Sequence, residues 1–292
     1  MLGWFDANFV SMVDGVAYGL LLFTLAVGLS LVFGMMDVLN LAHGLLYLIG
    51  AYVAYALSDG TWGGFLLAIL VGTAVGVLGG VVLSAMTQPL SARGHLDQAL
   101  LTLGVAFVVA DLLFAYFGSE VLPTRPPGSL RESTSLLGHS YPIYRLAFIG
   151  IAGALAVLVY AVFERSSLGA LVRATVADRD MVRAMGVDTR KVMFGVFAFG
   201  AALAAVGGVL GAPILAPGPG VDENVLVLSL VVVVIGGLGS VRGALLGALL
   251  IGQVQTLGVA LIPTYAPFLL FGAMLVVLAW RPAGLLPVGA RT

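Results

Sequence analysis

The chain has 292 residues, 61% of them hydrophobic and only 9% charged, with a formal net charge of −1. Soluble domains carry roughly 25% charged residues, so a chain with a mean hydropathy of +1.13 needs a bilayer as its solvent. The near-zero charge offers nothing to nucleic acid, and the absence of cysteine excludes disulfides, thiolate catalysis and cysteine-based metal sites.

The N-terminal stretch MLGWFDANFVSMVDG has no positive region, and Asp6 and Asp14 stand where a signal peptide would carry Lys or Arg. The first apolar run is therefore expected to be a retained span. A spanning helix needs about 20 mostly apolar residues. On that criterion spans are predicted at 11–33, 38–57, 63–87, 97–117, 142–163, 192–214, 225–239, 243–262 and 265–281. The seventh is short for a full crossing and reads as re-entrant or broken, so the count is eight or nine. The fold class is an all-α, polytopic membrane bundle with broken or re-entrant segments, forming one transmembrane domain over 1–292. Forty glycines point to close helix packing and interrupted helices.

The second span carries the most informative pattern. In VFGMMDVLNLAHGLLYLIGAY, Asp37, Asn40, His43 and Tyr47 recur every three or four residues. On a helix they share one face. Polar groups in hydrocarbon usually face a bundle interior or a water-filled path, so Asn40, His43 and Tyr47 are candidates to line a solute pathway. The competing reading has them bonding backbone at an interrupted helix start, with Asp37 and Asn40 as N-caps. For Asp37 the structural role is preferred; for Asn40 and His43 both readings stand. None of the three histidines has a partner at ligand spacing, so no metal site is expected.

Asp111, late in the fourth span, reads as an interfacial, solvated carboxylate. Trp62, Tyr116, Tyr141 and Trp280 fall at span edges, as in interfacial aromatic belts. The segment 118–141 is rich in Pro, Gly and Ser and is expected to be irregular. The segment 164–191 holds Arg165, Arg173, Arg179, Arg183, Arg190 and Lys191. Placing it in the cytoplasm by the positive-inside rule puts the N-terminus outside and the C-terminus inside. Ser and Asp at helix-start positions and Gly186 at a stop predict one or two short helices there. Mixed charge and apolar residues suit a docking helix, with an ordinary basic loop as the plain alternative. Further on, LAPGPGVDEN (215–224) is a turn-rich connection.

The run VIGGLGSVRGALLGALLIG has Gly236, Gly237 and Gly239 placed to break a helix near membrane depth, and a Gly243–Gly247 pair that admits a close helix neighbour. Its plain reading is tight packing. A faint internal echo joins LAHGLLYLIGAY with SVRGALLGALLIG, as two related halves would produce. No hydrolase elbow, zinc-protease motif or phosphate-loop lysine is present, and Lys191 is the one lysine. The chain is read as a transport subunit, not an enzyme, with any ATP hydrolysis on another chain.

Several segments converge on one family. NLAHGLLYLIGAY, LLTLG with YFG, RATVADRDMVRAMGVDTRKV followed by FAFGAALAAVGGVLGAP, and VIGGLGSVRGALLGALLIG resemble, in order and at familiar spacing, the branched-chain amino acid ABC transporter permeases of the LivH type. The resemblance implies a permease that pairs with a second, related permease on two cytoplasmic ABC ATPases. An extracytoplasmic solute-binding protein delivers the solute. It implies a multi-pass position in the bacterial or archaeal inner membrane. Cofactors would be none on this chain, with ATP and Mg on the ATPases. The coupling motif of such permeases carries onto Ala177, Ala184 and Gly186, with Asp178 and Met181 in the same segment; the usual Glu is absent, Val176 standing before Ala177. Close relatives share these motifs while carrying urea, short amides or other amino acids. An ATP-independent channel or carrier is the weaker alternative, because only Asp37 and Asp111 are plausible buried carboxylates.

Overall fold

The computed structural model describes residues 2–36, 38–90 and 94–286. Asp37 lies outside the described residues. In chain order the helices are α1 (Leu2–Met36), α2 (His43–Leu57), α3 (Trp62–Thr87), α4 (His95–Phe117), α5 (Ile143–Tyr160), α6 (Ser167–Ala177), α7 (Arg179–Ala184), α8 (Thr189–Gly211), α9 (Val221–Gly236), α10 (Val241–Leu261) and α11 (Ala266–Trp280). A π-helical turn, Ala161–Arg165, extends α5. Among the described residues seven segments are long and apolar enough to cross a bilayer: Asp6–Gly34, Trp62–Leu90, His95–Phe117, Ile143–Arg165, Thr189–Gly211, Val241–Leu261 and Pro263–Trp280. The protein is a multi-pass helical membrane protein.

Seven is fewer than the eight or nine full spans expected from hydropathy. The shortfall sits in α2 and α9, of 15 and 16 residues. At 1.5 Å per residue they reach only about 22 to 24 Å, less than a hydrocarbon core of about 30 Å. The predicted span 38–57 loses its first five residues because residues 38–42 are not α-helical.

Local sequence explains where helices begin. Thr61, Ser166, Asp178, Asp188 and Ser240 each accept a hydrogen bond from a backbone N–H in the first turn of α3, α6, α7, α8 and α10, which satisfies one donor that the helix leaves free. Gly186 stops the segment after α7 at φ +85°, a conformation that glycine adopts without Cβ strain. The segment 164–191, expected to hold one or two short helices, holds two.

The segment 118–141 is more ordered than its composition suggests. It carries a hairpin of β1 (Ser133–Leu136) and β2 (His139–Pro142), paired Ser133 to Pro142 and Leu136 to His139. Leu137 and Gly138 turn it with φ of 50° and 89°, the two positive φ values of a type I′ turn. The missing signal is the turn dipeptide, Leu-Gly in place of Asn-Gly. The hairpin anchors α1: His139 Nε2 lies 3.0 Å from Asp6 Oδ1, and Tyr141 Oη donates to Asp14 at 2.7 Å. Arg145 forms an ion pair with the same Asp14. Tyr141 is therefore 1% exposed and internal, unlike Trp62, Tyr116 and Trp280, which are exposed as interfacial aromatics should be.

The hairpin marks one end of the bundle and α6–α7 the other. Ser58 Oγ donates to Arg125 O at 3.0 Å, so α2 ends at the hairpin end. Leu122 N donates to Pro217 O, placing the α8–α9 connection there too. Helices α1, α3, α5, α9 and α11 thus run away from the hairpin, and α2, α4, α8 and α10 run toward it. Helix α1 packs chiefly on α10, and α3 chiefly on α8. Exchanging α1–α4 with α8–α11 preserves these pairings and reverses every direction. These are two inverted halves, the arrangement found in many transporters. In it α2 corresponds to α9 and α3 to α10, so the echo between 41–52 and 240–252 joins segments that are not equivalent.

The halves meet where α1 crosses α8. A Cβ on Gly28 would fall 2.6 Å from Gly200 O, and one on Gly200 would fall 3.0 Å from Gly28 O. Packing of this kind replaces the hydrophobic drive that lipid does not supply. Helix α1 is the most enclosed span, 83% of its apolar window being buried, against 17% for His95–Phe117 and 11% for Pro263–Trp280. Leu70, Leu100, Val108, Leu112, Phe268 and Leu275 face outward, a surface suited to lipid.

Candidate functional site

The two short helices point in opposite directions, yet their first turns touch. A Cβ on Gly44 would collide with Asp222 O and lie 3.0 Å from Leu226 Cβ. Both helices therefore start inside the bundle and run outward to opposite ends. The connecting segments, 38–42 and 212–220, carry the chain from the bundle ends to that junction. Each short helix brings a positive dipole end to the same interior place.

Side chains support the first connection. Thr102 Oγ1, on α4, accepts from Leu41 N at 3.0 Å and lies 3.3 Å from Leu39 O. Asn40 Oδ1 accepts from Ala42 N at 3.1 Å. This is the backbone-satisfying role that an interrupted helix needs. His43 opens α2, and its Nε2 lies 3.0 Å from Leu25 O on α1. Asn40 and His43 are each 1% exposed and Tyr47 is 0% exposed, so this conformation encloses them. Their remaining atoms are left over: Asn40 Nδ2, His43 Nδ1, and the hydroxyls of Tyr47 and Tyr52 are buried with no hydrogen-bond partner among the described residues. Buried polar groups are ordinarily paired. Four such atoms along one segment mark the place where this bundle has unused hydrogen-bonding capacity.

Of the two readings of the polar stripe, the backbone-bonding one has a direct counterpart in the geometry. Asn40 does bond backbone, and the stripe is also a packing face. Gly50 and Gly208 let α2 and α8 approach so closely that a Cβ on either would strike the other helix's backbone, at Ala205 O or Tyr47 O. Tyr144 Oη donates to Leu210 O at 2.6 Å and ties α5 to the end of α8.

Asp222 was not singled out from sequence, where DEN read as part of a turn. It lies in the first turn of α9 and is 9% exposed. The available signal was Gly220, at φ +77°, followed by two acids before an apolar run. Asp111, by contrast, is exposed on α4.

Gly236, Gly237 and Gly239 lie at the other end of α9, away from the junction. Gly236 packs on Gly243, and Gly247 on Val232 O. Gly237 and Gly239 take φ of 101° and 76°. Ser30 Oγ accepts from Gly239 N at 3.1 Å. Leu285 N and Leu286 N donate to Ile235 O and Gly236 O, so the segment after α11 closes the end of α9. The structure does not bring these glycines to Asn40, His43 and Tyr47.

The 164–191 segment folds back on the bundle. Arg173 donates to Phe163 O, and Asp178 Oδ1 accepts from Met181 N at 2.8 Å between α6 and α7. Ala177, Asp178, Ala184 and Gly186 are exposed. Met181 is 61% and Met185 76% exposed. Exposed methionines on and just after a helix at a polar end of the molecule are adaptable contact surface. Among the described residues no cluster of His, Cys, Asp or Glu could hold a metal ion.

Inverted halves, half-helices meeting in the interior and a capped surface segment define a polytopic membrane permease. The chain belongs to the family of branched-chain amino acid transport system permease components, which it matches over residues 11–279. It is 28% identical to the high-affinity branched-chain amino acid transport system permease protein BraD of Pseudomonas aeruginosa, over 94% of each chain. It is 29% identical to the corresponding permease protein LivH of Escherichia coli, again over 94% of each. The permease protein LivM of Escherichia coli matches at 29% identity, over 90% of this chain and 67% of LivM. No solved structure matches the chain.

Proposed function

We propose that this chain is one of two related permease subunits of an ABC importer for branched-chain amino acids in the cytoplasmic membrane of a bacterium or archaeon. The observation that carries the reading is the junction of α2 and α9. Two helix N-termini favour a carboxylate, and Asp222 beside them suits an α-ammonium. A zwitterion needs both; urea and short amides have no carboxylate for the dipoles. The likeness to both LivH and LivM supports a second, related permease as partner.

Orientation follows from charge. Arg125, Arg131 and Arg145 sit toward the hairpin end, while Arg165, Arg173, Arg179, Arg183, Arg190, Lys191, Arg242 and Arg281 sit toward the other. By the positive-inside rule the α6–α7 end is cytoplasmic. Solute then arrives at the hairpin end from an extracytoplasmic binding protein, and two ATPases dock at α6–α7. Helices α2 and α9 together with the seven long spans give nine passes, two of them broken.

In the mechanism, Asn40, His43 and Tyr47 offer solute the hydrogen-bonding atoms that the closed bundle leaves unused. Ala177, Asp178, Met181, Ala184 and Gly186 form the contact with an ATPase. ATP-driven closure moves α7, the start of α8 follows, and α8 shifts against α2 and α1. Gly236, Gly237 and Gly239 give the inner end of α9 the close packing and turns about which it moves. Nucleotide and Mg stay on the ATPases.

The test is reconstitution of the chain with its companion permease, ATPases and binding protein, and measurement of ATP-driven uptake. Leucine uptake is expected, with urea ignored. Ala184→Glu is expected to abolish uptake while membrane insertion and assembly of the permease pair persist. Uptake of urea in place of leucine, or normal uptake by Ala184→Glu, overturns the reading.

A further inference from the structure

A cavity of about 460 Å³ opens at the α6–α7 end, between the last turn of α3, the start of α4 and the start of α8. Its charged wall is Arg179 and Arg183 from α7 and Arg190 from α8, with Gln98 from α4. Val38, Phe194 and Phe197 supply apolar wall. A volume of this size is within the range of small-molecule sites.

Among the described residues the charge here is poorly compensated. Among the described residues the one carboxylate within ion-pair distance is Asp180, 3.5 Å from Arg183 Nη1 and itself 92% exposed. Thr189 Oγ1 accepts from Arg183 Nε at 3.0 Å, which positions a guanidinium without neutralising it. Burial, and then the charges of Arg183 and Arg190, push the Arg179 pKa below the usual arginine range. Gln98 is 3% exposed, and its Oε1 has no hydrogen-bond partner among the described residues. An anion is called for, and the buried amide asks for a polar group beside it. The apolar wall asks for a hydrocarbon substituent, which inorganic phosphate lacks.

Position narrows the ligand further. Val38 begins the connection that climbs to His43, and Thr102, one turn beyond Gln98, holds that connection. The cavity thus lies at the foot of the segment that leads to the junction. Two of its walls, α7 and the start of α8, belong to the coupling segment, whereas α3 and α4 belong to the first half. A molecule that binds both sets of walls favours the arrangement in which they are close.

We infer that this cavity binds the released product, an aliphatic α-amino acid, through its carboxylate, and that occupancy holds α7 against the bundle and slows turnover. The inference rests on the import reading above. It makes the protein sensitive to its own product on the side where product accumulates.

The experiment uses the intact importer in proteoliposomes, with ATP and the ATPase face in the lumen and the binding protein outside. ATP hydrolysis and initial leucine uptake are followed as lumenal leucine is raised. Both are expected to fall several-fold with leucine, and not with leucine amide or inorganic phosphate. Losing one charged hydrogen bond corresponds to roughly tenfold in affinity. Arg190→Gln, and independently Arg179→Gln, should therefore raise the half-inhibiting leucine concentration about tenfold. If an active importer ignores lumenal leucine, the product site is refuted and the import reading stands. Equal inhibition by phosphate or leucine amide, or inhibition that follows anionic lipid content instead of leucine, also refutes it. Absence of any ATP-driven uptake refutes the import reading itself, and this site with it.

Discussion

Gly28→Ala is the most direct probe of the crossing that joins the two halves. The new Cβ would sit 2.6 Å from Gly200 O and 3.1 Å from Gly200 Cα and C, where ordinary contact begins at 3.4 Å. Both obstacles are backbone, so α1 and α8 must part by about 0.8 Å. A gap of 0.5–1 Å forfeits a quarter to a half of each contact's attraction, and overpacking costs roughly 1–3 kcal/mol. Ala gains about 0.8–1 kcal/mol of helix propensity over Gly, which leaves Gly28→Ala destabilised by up to about 2 kcal/mol. Gly200→Ala needs only about half the displacement, its Cβ lying 3.0 Å from Gly28 O, and should come out near neutral. Gly150→Ala, on α5 with nothing within 4 Å, is the control and should be neutral or stabilising. The double variant Gly28→Ala with Gly200→Ala should cost less than the two singles together, because one separation relieves both methyls. Denaturant unfolding of the purified protein in mixed micelles measures all four. Equal effects at 28 and 200, strict additivity, or a Gly150→Ala as damaging as Gly28→Ala would refute the reasoning.

Three further outcomes follow. Asp178→Ala removes the cap of the six-residue α7, costs about 1 kcal/mol locally, and should lower uptake per ATP hydrolysed while Asp178→Asn, also a good cap, retains coupling; equal coupling in both would count against it. Asp222→Leu removes a buried charge at the junction and should reduce leucine uptake about tenfold or more with ATPase assembly intact; wild-type uptake would discard Asp222 as a solute contact. Burial, and after it the hydrogen bond and charge of Asp14, raise the Tyr141 phenol above its ordinary value near 10. The folded protein then holds that proton more tightly than the unfolded chain, so the contribution is complete below about pH 10 and declines as pH rises toward the folded value. The stability gap between wild type and Tyr141→Phe should accordingly narrow above about pH 10, and a constant gap through alkaline titration would refute the Asp14–Tyr141 link.

What could be read from the chain was what local chemistry decides. Apolar length located the long helices, Ser166, Asp178 and Asp188 announced three helix starts, and Gly186 announced a stop, because caps act within one turn. The polar residues Asn40, His43 and Tyr47 stood out because hydrocarbon makes such residues costly wherever they occur. The beginning of α2 stood out only in part, through Asn40, whose Oδ1 accepts from Ala42 N. Residues 38–42 are as apolar as the helix they precede, and what frees their backbone is Thr102, 61 residues from Leu41. The part of the break that a distant helix satisfies leaves no local mark.

The same physics explains why Asp222 was missed while being central. Its neighbours LAPGPGVDEN have the composition of a surface turn, and on a soluble protein they would be one. Here the inverted arrangement carries them inward, because α9 is the counterpart of α2 and must begin where α2 begins. Once α2 is known to start inside the bundle, the reversal of direction between halves obliges the turn before α9 to descend to the same depth. The contact of Gly44 with Asp222 is the consequence. An acidic first turn favours a helix start electrostatically, so the residue that stabilises α9 locally is also the one the inversion delivers to the junction. Symmetry, not composition, brings this residue to the junction, and Asp222→Leu tests the proposal that its carboxylate meets solute there.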